Sequence, residues 1–94
     1  MELEELYQAA LAKWGADAQY DQMVEECAEL ITALKHFRRG KTDQQAVINE
    51  LADVRLMLGQ LAWMFGADKV AAATQQKLAK LNDLLATLPP EQGA

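Results

Sequence analysis

Cysteine is almost missing from the 94 residues: Cys27 stands alone, so no disulfide can close within the chain. A reducing compartment suits such a chain best. Proline is confined to positions 89 and 90, which leaves everything before them free to be helical. No apolar run is long enough to span a bilayer. The richest stretch, 51–65, is interrupted by Asp53, Arg55 and Gln60. The opening MELEELYQ is acidic and polar, the opposite of a secretory leader. Positive charge is in deficit too, with a net charge of −5. An acidic chain is a poor non-specific partner for nucleic acid. These absences point to a soluble cytoplasmic protein that binds neither membrane nor nucleic acid.

What the chain does have is apolar surface, in 51% of its residues. A particle this small has a high surface-to-volume ratio and little interior in which to hide it. Hydrophobic periodicity predicts one all-α domain over 1–94, with four helices at about 2–13, 18–39, 43–65 and 69–87. Trp14-Gly15 separates the first two, with Asp17 as N-cap of the second. Gly40 follows the end of that helix, whose last turn carries His36, Arg38 and Arg39. Thr42 and Gln45 read as a capping box for the third. Asp68 caps the fourth, whose buried side would carry Val70, Ala73, Leu78, Leu81 and Leu85. Pro89-Pro90 stops it, leaving 88–94 as a frayed tail. The second half of the third helix is apolar on nearly every face. The expected architecture is therefore a four-helix antiparallel bundle-like subunit, assembled as a dimer or a tetramer built from dimers.

Two acidic pairs stand out. Glu26 and Glu29 are three apart on the second helix; Glu50 and Asp53 are three apart on the third, so each pair shares a helix face. In a helical hairpin, positions are level when their numbers have a constant sum. Glu26 with Asp53 and Glu29 with Glu50 both give 79, about a midpoint at the Arg39-Gly40 boundary. Packed helix axes lie roughly 8–10 Å apart, so four carboxylates facing that gap can meet. Such a meeting is repulsive without a cation, and burying an unpaired carboxylate is costly. All-oxygen ligands suit Mg²⁺ or Mn²⁺. No histidine lies in either pair, which argues against zinc and against a di-iron bundle.

The stretch QMVEECAELITALKHFRRGK, followed by ELADVRLMLGQLAWMFG, resembles the MazG-like all-α nucleoside triphosphate pyrophosphohydrolases. The likeness covers roughly residues 14–82 and rests on Glu25-Glu26-x-x-Glu29 with Glu50-x-x-Asp53. It implies Mg²⁺-dependent hydrolysis of a (deoxy)nucleoside triphosphate to monophosphate and pyrophosphate, in a house-cleaning role. It implies Glu26, Glu29, Glu50 and Asp53 as metal ligands. Glu25 would orient or deprotonate water, and it stands with Glu29 as a catalytic candidate. The resemblance also implies dimers or tetramers.

Other residues carry two readings. Lys35, Arg38, Arg39 and Lys41 complement a helix dipole, or Lys35 contacts the triphosphate tail. Trp14 packs in the core, or it stacks on a base whose edge Gln19 or Gln22 reads. Lys77 matches a position where the family often has a phosphate-contacting lysine. Some members carry Asn four residues later, where this chain has Leu81, with Asn82 beside it. Cys27, Met57, Trp63 and Met64 read as packing, and His36 as a helix-end residue. Two rival functions remain. Phosphoribosyl-ATP pyrophosphohydrolase shares the fold and acids, but its basic C-terminal end is replaced here by PPEQGA. The other rival is a non-catalytic helical oligomerisation or interaction module.

Overall fold

A computed structural model describes residues 1–87. The tail expected over 88–94, with its Pro89-Pro90 stop, lies outside the described residues. The described chain is all-helical, with three elements where four were expected: α1 (Leu3–Arg38), α2 (Gln44–Phe65) and α3 (Ala67–Ala86). The first two expected helices are joined as α1. The break at Gly15 is real but consists of that one non-helical residue, with φ 84° and ψ 167°. A glycine can occupy positive φ without a Cβ clash, so a single residue redirects the helix and no connecting loop is needed. Asp17 therefore lies inside the helix rather than at an N-cap. None of the helices is long and apolar enough to cross a membrane.

The chain divides into two compact units, Met1–Met64 and the segment from Phe65 onward. The first unit holds α1 and nearly all of α2. Its turn closes through a Schellman arrangement. Gly40 sits at φ 72°, Gly40 N–H donates to Phe37 O at 3.0 Å and Lys41 N–H to His36 O at 2.9 Å. The cap of α2 is Asp43 rather than Thr42, since Ala46 N–H donates to Asp43 Oδ1 at 3.1 Å. Gln45 does not reach back as a capping box requires. Its Nε2 donates forward to Asn49 Oδ1 at 2.9 Å.

The interior of this unit is thin. Val54 and Met57 are its buried apolar residues, each 8% exposed. Gln19 and Gln60 are buried more deeply, at 5% and 4%. Gln60 Nε2 donates to Tyr7 O at 2.9 Å, tying the arm before Gly15 to α2. Tyr7 also tilts against Trp63, with ring centroids 6.3 Å apart. Its hydroxyl lies over Gly59, where a Cβ would collide with it. That contact explains a glycine in a helix interior, where it otherwise costs roughly 0.5–1 kcal/mol relative to alanine.

In the second unit, α3 follows Gly66 (φ 114°), and Asp68 falls in its first turn without capping it. No residue of α3 is buried, so the apolar side expected at Val70, Ala73, Leu78, Leu81 and Leu85 is exposed. The periodicity correctly marks a stripe, but a stripe alone does not specify what covers it.

Candidate metal centre

The hairpin brings the four acids together. Glu26, Glu29, Glu50 and Asp53 each offer a carboxylate oxygen, and these four atoms lie within 4.8 Å of one another. Two causes act in sequence: i, i+3 spacing aligns each pair, and the short Gly40 turn sets the two pairs level. Glu26 and Glu50 are half-buried, while Glu29 and Asp53 are exposed.

The surroundings do not neutralise this charge. Gln22 Nε2 donates to Glu26 Oε1 at 2.8 Å. Glu26 Oε2 and Glu50 Oε2 are shut away from solvent and have no hydrogen-bond partner. Removal from water pushes the Glu26 carboxyl above its ordinary 4.5. Gln22 pulls it back, and the negative charges of Glu29, Asp53 and Glu25 push it further up. Glu29 is raised likewise, first by lost hydration, then by Glu50, Glu25 and Asp53. Buried charges are ordinarily paired or bound to metal, so two orphaned carboxylate oxygens fit a cation as the missing partner. Four carboxylate oxygens within 4.8 Å of one another are close enough for one hard cation to touch them all.

Two hollows flank the acids. One is a groove of about 540 Å³ between α1 and α2. Glu25, Glu29, Thr32 and His36 line it from α1, and Asn49 and Glu50 from α2, with Thr42 at the turn. The other, about 640 Å³, is mostly apolar. Leu6, Tyr7 and Trp14 line it from before and beside the bend, Gln19 and Gln22 from after it, and Met57 and Gln60 from α2. Gln22 thus belongs both to this hollow and to the acids.

The sequence-expected residues are distributed unevenly. Glu25 lines the groove beside Glu29. Trp14, Gln19 and Gln22 line the apolar hollow, where Trp14 remains 59% exposed with Lys13 Nζ 5.1 Å from its ring centroid. Lys35 is exposed and lines neither hollow; His36 takes the groove position. Lys77 lies on α3, in the second unit. His36 and Asn49 line the groove and Gln60 the apolar hollow, positions the sequence reading did not assign to them. The signal for His36 was present, because 25, 29, 32 and 36 follow the same helical face.

No known protein family matches the chain, and no curated protein or solved structure is similar to it.

Proposed function

We propose that the protein is an Mg²⁺-dependent nucleoside triphosphate pyrophosphohydrolase, converting a (deoxy)nucleoside triphosphate and water to the monophosphate and pyrophosphate. The observation that carries this reading is the convergence of four carboxylates, two with orphaned buried oxygens, between a groove that carries charged and polar side chains and an apolar hollow.

Glu26, Glu29, Glu50 and Asp53 would hold the cation. Bound there, Mg²⁺ or Mn²⁺ would neutralise phosphate charge and lower the pKa of a water. A polyphosphate cannot approach this acidic site otherwise. Glu25, which lines the groove, would orient the attacking water and accept its proton. The water oxygen bonds to phosphorus, the anhydride P–O bond breaks, and the displaced oxygen carries the electron pair away. Positioning and charge stabilisation are the main demands of such a displacement. The apolar hollow suits the nucleoside. Trp14 and Tyr7 offer aromatic faces, and Gln19 offers a carboxamide able to pair with a base edge.

The exposed apolar stripes support a second copy of the chain as the covering partner, in a homodimer or homotetramer. A cytoplasmic setting agrees with the lone Cys27 and with a nucleotide substrate. Incubation with each NTP and dNTP plus Mg²⁺, with pyrophosphate measured, tests the activity. No release from any nucleotide would sink it. Release that persists in Glu29→Gln or Asp53→Asn would sink the site assignment.

A further inference from the structure

The groove between α1 and α2 is not uniform along its length. Its inner end holds Glu29 and Glu50, part of the carboxylate cluster. Its remainder, from Asn49 next to Glu50 out to His36, Thr42 and Ala46 toward the Gly40 turn, is lined by no acid. Glu29, Thr32 and His36 follow one another along one helix face, a rise of about 10 Å from first to last. The hydrogen-bonding state of each side chain decides what it can offer. Thr32 Oγ1 already donates to Ala28 O at 3.1 Å, so only its lone pairs remain, which suits a hydrated cation. Asn49 Oδ1 accepts from Gln45 Nε2 at 2.9 Å, which fixes the carboxamide and leaves its NH₂ to donate. An imidazole presents at least one N–H in either protonation state. Just beyond, Arg38, Arg39 and Lys41 make the turn end of the hairpin positive, opposite in sign to the cluster.

We propose that the outer end of this groove is the pyrophosphate subsite, with His36 and Asn49 donating hydrogen bonds to the departing diphosphate. The assignment rests on the pyrophosphohydrolase reading of the acids. It fixes the direction of the substrate along the hairpin: nucleoside in the hollow beside Trp14 and Gln19, phosphate tail toward the turn. It also replaces Lys35 by its neighbour as the tail-binding residue, because Lys35 lines neither hollow.

Pyrophosphate itself is the probe. Hydrolysis is measured with added pyrophosphate and, separately, with added nucleoside monophosphate as product inhibitors. In His36→Ala the inhibition constant for pyrophosphate rises about tenfold or more, the usual effect of losing a hydrogen bond to a charged group, while that for monophosphate is unchanged. His36→Gln, which keeps a donor, recovers part of the loss. Unchanged pyrophosphate inhibition in His36→Ala, or a loss confined to monophosphate, overturns the assignment.

A binding measurement separates this from the activity. Mg²⁺ and pyrophosphate are titrated into the full chain while the His36 ring and Asn49 amide resonances are followed by NMR. Both shift if the subsite is there, whether or not any nucleotide is hydrolysed. Hydrolysis without these shifts refutes the subsite and leaves the pyrophosphohydrolase standing; shifts without hydrolysis do the reverse.

Discussion

At the scale of single residues, the cluster is a fold-destabilising feature that a cation would reverse. Lost hydration and mutual repulsion raise the Glu26 and Glu29 carboxyls above 4.5. The folded chain therefore takes up protons more readily than the unfolded one. In the absence of metal, stability rises as pH falls through the raised values toward 4.5, and is lost as pH climbs back. This is the reverse of the usual behaviour of a salt-bridged carboxylate. Thermal unfolding should thus show a larger Mg²⁺-induced rise in Tm at pH 7.5 than at pH 5, where protons compete with the ion. Glu26→Gln should raise the Tm of the metal-free protein while shrinking its response to Mg²⁺. A Tm insensitive to Mg²⁺ at both pH values would count against a cation at these residues.

At the scale of elements, the site depends on one hairpin. The constant sum of 79 was legible because two straight helices joined by a short turn obey simple arithmetic. The four carboxylates do meet, within 4.8 Å. Helix ends were harder to read. Asp43 rather than Thr42 caps α2, because neighbouring residues with similar side chains compete for the same N–H groups. Gly15 read as the boundary between helices, yet a glycine can bend a helix as readily as end it. The hollow beside Trp14 was hidden for another reason: Gln60 and Tyr7 meet through a side chain and a backbone carbonyl 53 residues apart. No local pattern announces such a bond. Gly59→Ala tests this packing. The collision with Tyr7 should outweigh alanine's helix preference of about 1 kcal/mol, giving a net loss of about 1 kcal/mol in urea unfolding. In a Tyr7→Phe background the loss should largely vanish.

At the scale of the whole molecule, much of the apolar surface of the described residues lies open. Val54 and Met57 are the buried apolar residues, whereas Ile31, Leu51, Leu58, Leu81 and Leu85 are all half exposed or nearly so. No residue of α3 is buried, although in proteins most helical stability comes from packing of an amphipathic face rather than from propensity. The apolar excess was legible from composition; the location of its cover was not, because a stripe fits any complementary surface. Sedimentation should give a mass of two or four times 10.4 kDa. Leu81→Glu should lower that mass if α3 contributes to the interface. A mass of one chain at micromolar concentration would refute the assembly.

The contact between Tyr7 and Gly59 makes positions 7 and 59 a linked pair. A chain of this kind that acquires a side chain at 59 must move the Tyr7 ring or give up bulk at 7. Since Tyr7 also walls the apolar hollow, that exchange would enlarge the hollow. The volume of the hollow is therefore set in part by a residue that does not line it, with every carboxylate left in place.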